Sequence, residues 1–387
     1  MVKTLSIFGL TGSIGMQTAD IVMADRPAFD VDTITAHKNV EELAAKAIEL
    51  EAKHCVIGDA SLLAELQSRL AGTEISAAAG REAVLEAAIR PVDISLQAII
   101  GFEGVAPSIT AAKHAKTLAL ANKEALVCAG RLLKAECETN KTHLIPLDSE
   151  HSAIFQCLGA EKNLSKIILT ASGGPFWKHS VQELQNVTLE QASTHPNWDM
   201  GQRITIDSAS MFNKAMEMIE AQMLFDLRPD QIEVVIHPQS ALHSAVEFED
   251  GAIIAHLGAT DMRAPIGYAL YYPERKNVLG TRFSLAQLGQ MEFFAPDAER
   301  FPALCLAEKA MSMGGDAGLV LNAAKEVALD QFIDGKIPFL RMADGVAHSL
   351  EVYEKSSKSS CDDLDELVAL NDEYRQVALD YFEGKRA

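Results

Sequence analysis

Asp148-Ser149-Glu150 follows the β-rich run 143–147, and a third carboxylate, Glu217, closes the string Asp207-Ser208-Ala209-Ser210-Met211-Phe212-Asn213-Lys214-Ala215-Met216-Glu217. Carboxylate oxygens are hard ligands that suit Mg²⁺ or Mn²⁺. In an extended chain residues two apart face the same side, which points the carboxylates of Asp148 and Glu150 at one ion. Asn213 and Glu217 are four apart and Lys214 and Glu217 three apart, so on a helix over 210–224 all three share a face. There they can hold a phosphate and a hydroxyl-bound metal side by side. Ser208 precedes that helix, where a hydroxyl and open N–H groups meet a phosphate readily. Each string also has a plainer reading: a solvated turn at 148–150, and a capped helix carrying an ordinary ion pair at 208–217.

A second kind of chemistry is carried by glycine. Residues 4–8 run into Gly9-Leu10-Thr11-Gly12-Ser13-Ile14-Gly15, followed by a helical stretch over 16–24. Glycines at this spacing between a first strand and a first helix let the backbone turn tightly and approach a pyrophosphate at the helix N-terminus. The second strand ends near Ala36, where an NAD enzyme would place a ribose-binding acid. Instead the text reads Ala36-His37-Lys38-Asn39, and Asp32 lies inside the strand. Lys38 offers a cation to a 2′-phosphate, so NADP(H) is expected over NAD(H). Thr170-Ala171-Ser172-Gly173-Gly174-Pro175 is a strand running into a turn that offers a backbone nest for a second anion. Thr194-His195-Pro196-Asn197-Trp198-Asp199-Met200-Gly201 holds one of only two tryptophans in a loop bounded by Pro and Gly. That composition suits a closing lid. His237-Pro238-Gln239-Ser240 ends a strand, and His237 reads equally as a structural or an active histidine.

These residues need a scaffold. At 387 residues the chain exceeds one ordinary core, so two or three domains are expected. From 1 to 147, strands at 4–8, 31–35, 55–57, 99–100, 117–120 and 143–147 alternate with helices such as 40–52 and 61–70. This predicts an α/β, doubly wound (Rossmann-like) parallel sheet. From 148 to 272, strands at 166–170, 203–206, 233–236 and 252–256 accompany one clear helix, predicting an α+β domain. Residues 273–297 read as a linker. From 298 to 387, helices at 302–313, 318–334, 339–355 and 361–382 predict a small bundle. A net charge of −20 argues against a nucleic-acid or anionic-membrane surface. No apolar run approaches the roughly 20 residues of a membrane span. The six cysteines have neither C-x-x-C nor His-paired spacing, which reads as buried free thiols in a cytoplasmic protein.

Taken in order, the strings 9–15, 121–124 (Ala-Asn-Lys-Glu), 147–151, 171–176, 195–201, 207–217, 237–240 and 321–324 closely resemble the 1-deoxy-D-xylulose 5-phosphate reductoisomerase family, nearly end to end. The resemblance implies a V-shaped homodimer with an NADPH-binding domain, a catalytic domain that makes the dimer contacts and a C-terminal helical domain. It implies Asp148, Glu150 and Glu217 as ligands of Mg²⁺ or Mn²⁺, catalytic together with Lys123. Ser149, Ser172, Ser208, Asn213 and Lys214 would hold the substrate, with His195 and Trp198 in the lid. Thr11, Gly12, Ser13, Ile14, Lys38, Asn39, Asn122 and Glu124 would line the cofactor site. The implied chemistry is rearrangement of a sugar phosphate by retro-aldol and aldol steps, then hydride reduction, to 2-C-methyl-D-erythritol 4-phosphate. Leu10 and His37 depart from the family's usual small residue and glycine. The competing readings are an NADP-dependent dehydrogenase of another small phosphorylated substrate and a nucleotide-sensing regulator. The regulator should have lost some of Asp148, Glu150, Glu217 and Lys214, and all four are present.

Overall fold

Residues 5–8 are apolar but for one serine, and such runs form strands covered on both faces. In the computed structural model they lie in β1 (Lys3–Phe8), with Leu5, Ser6, Ile7 and Phe8 all buried. Residues 2–159, 163–195, 201–278, 280–282, 284–356 and 360–384 are described. The chain forms two compact units: Met1–Ala125 with Arg131–Phe155 and Asp261–Thr281, and Leu126–Gly130 with Gln156–Thr260 and Arg282–Ala387.

In the first unit β1 is joined by β2 (Phe29–Ala36), β3 (His54–Ile57), β4 (Ser76–Ala79), β5 (Ile94–Gln97), β6 (Thr117–Leu120) and β7 (His143–Pro146). All pair in parallel, in the order β4-β3-β2-β1-β5-β6-β7. This is the expected doubly wound sheet. The order reverses direction between β1 and β5, and at such a point open α/β sheets leave a crevice beyond the strand C-termini. The strand expected at 99–100 lies earlier, at Ile94–Gln97, because its register is set by pairing Leu5 with Ile94 and Phe8 with Gln97. Ile100 falls past the sheet and is 83% exposed. The expected catalytic segment does not stay together: helix Arg263–Tyr271 belongs to the first unit. Ile266, Leu270 and Tyr271 join its core, and the Tyr271 hydroxyl donates to Asp25 at 2.9 Å.

The second unit holds a four-stranded mixed sheet in the order β11-β10-β8-β9, from β8 (Leu164–Ala171), β9 (Ile232–Ile236), β10 (Leu242–Phe248) and β11 (Ile253–Leu257). Residues 203–206, expected as a strand, lie in helix Gln202–Ala209. The Arg-Ile-Thr-Ile alternation is too short to tell the two periods apart. Burial decides: Thr205, Ile206, Asp207 and Ala209 go inside while Ile204 faces out. The expected linker is partly ordered by the sheet, since Phe294 exchanges two backbone hydrogen bonds with Ile236 at 2.8 and 2.9 Å. The four C-terminal helices form as expected: Ala303–Met313, Ala317–Ile333, Met342–Ser356 and Leu364–Phe382. Ala317–Ile333 is apolar nearly all round and buried nearly all round, the mark of a central helix.

No helix among the described residues is long and apolar enough to cross a membrane. All six cysteines are free thiols; Cys55, Cys128, Cys137 and Cys361 are buried, whereas Cys305 is exposed and Cys157 half-buried, against the expectation of burial throughout.

Candidate active site

In the first unit the glycine loop leaves the C-terminal end of β1 next to β5. A Cβ on Gly9 would lie 2.6 Å from the Ala98 main-chain oxygen, and one on Gly15 would lie 2.3 Å from that of Leu10. Both glycines are therefore required by the fold. Gly12 is under less pressure, its nearest neighbour being the Gly9 oxygen at 3.3 Å. It occupies the N-cap of helix Ser13–Ala24, which has no side-chain cap and no acid in its first turn. That end of the helix presents N–H groups and positive dipole with Thr11, Ser13 and Ile14 around it. Asp32 is consumed elsewhere: Arg90 donates to both its oxygens at 2.6 and 3.0 Å. Past the end of β2, His37, Lys38 and Asn39 are exposed, and Asn39 caps helix Val40–Glu49.

Asn122 follows β6 and is buried. Its amide nitrogen donates to the main-chain oxygens of Ile99 and Gly101 and to Glu124, at 2.7 to 2.9 Å, and its oxygen accepts from Ala125 N–H at 2.8 Å. It thereby fixes the turn after β5.

Asp148 and Glu150 do not sit on extended chain. Helix Ser149–Leu158 begins directly after Asp148, whose main-chain oxygen accepts from Ser152 N–H at 2.8 Å. The two carboxylates are thus a cap and a first-turn residue, where the helix dipole favours negative charge. Asp148 accepts from Lys123 and, at 3.1 Å, from Nδ1 of the fully buried His151. Burial alone would raise the Asp148 carboxyl, but the Lys123 charge and the His151 hydrogen bond outweigh it and hold the group far below the usual carboxylate range. Ser149 donates to Glu150 at 2.5 Å.

In the second unit β8 runs into Ser172, and Gly173 and Gly174 both take positive φ, +82° and +64°. Such a pair of left-handed residues suits glycine alone. A Cβ on Gly174 would lie 2.9 Å from the Ser208 main-chain oxygen, so this turn packs directly on the segment bearing Ser208. The Ser172 hydroxyl accepts from Gly174 N–H at 3.2 Å and lies 3.0 Å from Nε2 of His195. Burial lowers the His195 imidazole, keeping it neutral. Trp198 falls in 196–200, outside the described residues.

Ser208 does not precede the next helix as expected; it occupies the last turn of Gln202–Ala209. Met211 then takes a left-handed φ of +64° before helix Phe212–Phe225. On that helix Asn213 donates to one Glu217 oxygen at 2.5 Å and Lys214 to the other. Lys214 is 4% and Glu217 1% exposed. His237 resolves as structural: its Nε2 accepts from Ala241 N–H at 3.1 Å and its Nδ1 donates to the Glu292 main chain at 2.9 Å. Sequence reading missed His151, although it lies three residues from Asp148. It also missed Arg90 and Lys325, which no local spacing signals.

The family model for 1-deoxy-D-xylulose 5-phosphate reductoisomerase matches residues 5–130, that for its C-terminal domain residues 144–225, and a DXP reductoisomerase C-terminal domain residues 257–377. The chain is 51% identical over 354 residues to the Ruegeria pomeroyi 1-deoxy-D-xylulose 5-phosphate reductoisomerase, covering 91% of this chain and 90% of that one. The chain belongs to the 1-deoxy-D-xylulose 5-phosphate reductoisomerase family.

A reductoisomerase from Rhizobium johnstonii is 47% identical over 380 residues, 97% of this chain and 96% of its own. A solved reductoisomerase from Zymomonas mobilis, in complex with NADPH, has a TM-score of 0.93 and 41% identity over 99% of both chains. Another, in complex with NADPH, fosmidomycin and magnesium, has a TM-score of 0.93 and 36% identity over 99% of this chain and 98% of that one. Of the two departures from the reductoisomerase pattern, Leu10 is fully buried in the first unit's core, so its bulk is absorbed there. His37 stays exposed beside Lys38.

Proposed function

We propose that this chain converts 1-deoxy-D-xylulose 5-phosphate, NADPH and a proton to 2-C-methyl-D-erythritol 4-phosphate and NADP⁺, with Mg²⁺ or Mn²⁺. The observation that carries this reading is the Lys214–Glu217 pair, buried on a helix with Asn213 beside it and the Ser172 turn packed on the preceding Ser208 segment. Buried ion pairs contribute little net stability, so a role in binding explains this one better than folding does.

The residues fit both a divalent metal and NADPH. Asp148, Glu150 and Glu217 each offer oxygen donors of the kind Mg²⁺ and Mn²⁺ take, and Asp148 is held ionised by Lys123 and His151. Gly12 opens an uncapped helix start to a pyrophosphate, with Thr11, Ser13 and Ile14 around it. With Asp32 engaged by Arg90 and Asp30, at the start of the strand, by Lys53, no acid is left at the end of β2 to select a 2′-hydroxyl, while Lys38, Asn39 and His37 favour a 2′-phosphate. When bound, the metal supplies Lewis-acid polarisation of substrate oxygens and NADPH supplies hydride.

The chain's own residues divide the remaining work. Ser172, Ser208, Asn213 and Lys214 bind the substrate phosphate, and that binding energy, remote from the reacting carbons, drives closure. His195 and Trp198 cover the substrate and exclude water. Lys123 and Ser149 orient the substrate oxygens beside Asp148 and Glu150. Asn122 and Glu124 hold the turn after β5 against the cofactor. We assign 1–147 to NADPH, 148–272 to catalysis and dimer contacts, 273–297 as connector and 298–387 as helical support, although Arg131–Phe155 and Asp261–Thr281 pack in the first unit and Leu126–Gly130 in the second. Family membership supports a homodimer, and the acidic composition with six free thiols supports a cytoplasmic setting.

The test follows NADPH absorbance with purified protein, the sugar phosphate and Mn²⁺ or Mg²⁺, with and without EDTA. Oxidation that needs both sugar phosphate and metal and yields methylerythritol phosphate is expected. Full activity in EDTA would favour a simple dehydrogenase. No oxidation, with NADPH still bound, would mean another substrate.

A further inference from the structure

A charge network in the second unit has no part in the roles above. Lys325, only 3% exposed on the central helix Ala317–Ile333, lies 3.0 Å from Asp207 Oδ2 and 2.5 Å from Glu326 Oε1. Arg203 donates to Glu326 at 2.5 Å and to Asp330 at 2.6 Å, and Arg375 lies 3.7 Å from Asp330. The three cations balance the three carboxylates. Asp207 is itself 8% exposed, and its Oδ1 is buried without a hydrogen-bond partner among the described residues. Lys325 thus supplies the hydrogen bond to a carboxylate standing one residue from Ser208.

A sugar phosphate arrives as an anion of about −2, and a buried carboxylate acts on it through low dielectric with little screening. We propose that Lys325 is a positioning residue for the substrate phosphate: it cancels the Asp207 charge and ties helix Gln202–Ala209 to Ala317–Ile333, so that Ser208 meets the anion in electrically neutral surroundings. This rests on Ser208 being a phosphate ligand in the reaction proposed above. Without Lys325 the carboxylates of the network outnumber its cations by one beside that ligand. The penalty then falls on sugar-phosphate binding and leaves NADPH binding, which belongs to the first unit, untouched.

The test compares the full chain with K325M, D207N and the D207N/K325M double variant by steady-state kinetics, NADPH binding by fluorescence and thermal melting. K325M is expected to raise KM for the sugar phosphate about tenfold with kcat within about twofold. The double variant, neutral again, is expected to return KM to within about threefold of wild type, a rescue that a purely structural role would not produce. An unchanged KM in K325M, or a double variant no better than the single one, overturns the proposal. Should K325M fail to fold, D207N decides: removing the negative charge is expected to lower KM, and a raised KM overturns the proposal. An inactive wild type that still binds NADPH overturns the functional reading and this inference together, whereas an active wild type with an insensitive K325M overturns the inference alone.

Discussion

The Ser172 hydroxyl lies 3.0 Å from Nε2 of His195, which couples the glycine turn after β8 to the segment leading into residues 196–200. The hydroxyl also accepts from Gly174 N–H, and the His195 tautomer sets whether it donates to Nε2 or accepts from it. Burial lowers that imidazole, and a neutral ring carries one donor and one acceptor nitrogen.

Ser172→Ala removes a phosphate ligand and the partner that orients His195. A hydrogen bond to a charged group contributes about 1.5–3 kcal/mol, so kcat/KM for the sugar phosphate should fall roughly tenfold to a hundredfold, mostly through KM. Steady-state kinetics within twofold of wild type would show that neither contact serves the substrate.

Glu217→Gln should abolish turnover while NADPH binding, measured by fluorescence, stays near wild type. The amide keeps the shape but loses the charge a divalent ion needs and leaves Lys214 without its buried counter-charge, a change that costs stability as well. Equal loss of turnover and NADPH binding would instead mark Glu217 as structural.

The glycine loop separates fold from function. Gly15→Ala drives a Cβ against the Leu10 main chain, which cannot give way, and should unfold the first unit or lower its melting temperature by several degrees, a few kcal/mol being typical of a rigid core clash. Gly12→Ala meets only the Gly9 oxygen at 3.3 Å and should leave melting nearly unchanged while weakening NADPH. Equal melting temperatures for the two variants would refute this account.

Glu326 sets part of the acid limit. Burial alone would raise its carboxyl, but Lys325 and Arg203 outweigh burial and hold it at about 2 against an ordinary 4.5. A carboxyl lowered in the folded state contributes stability that is complete above 4.5 and is lost as pH falls toward 2. Asp207, raised by burial more than Lys325 lowers it, works in the opposite sense. Melting temperature should therefore decline less steeply for Glu326→Gln than for wild type across that window. Parallel profiles would show that the folded state does not hold Glu326 down.

Much of this protein was legible locally. Apolar runs with β-branched residues marked five of the seven strands of the first sheet, since a parallel strand buried on both faces must be apolar throughout, while β4 was not read and β5 was placed too late. The i,i+3 and i,i+4 spacing of Asn213, Lys214 and Glu217 specified their shared face before any packing was known. The four C-terminal helices were legible for the same reason: their period is a local property of the chain.

What the sequence could not decide depended on partners far along it. Residues 203–206 alternate like a strand, yet burial of Ile206 and Ala209 makes them helix. Asp148 and Glu150 read as extended because they follow a β-rich run directly, although an Asp ahead of an acidic first turn is also a helix-start signal. Arg90 lies 58 residues from Asp32 and Lys325 118 from Asp207. A charge pair at that separation leaves no periodicity to read, so only the folded chain shows which carboxylates are engaged by the protein itself.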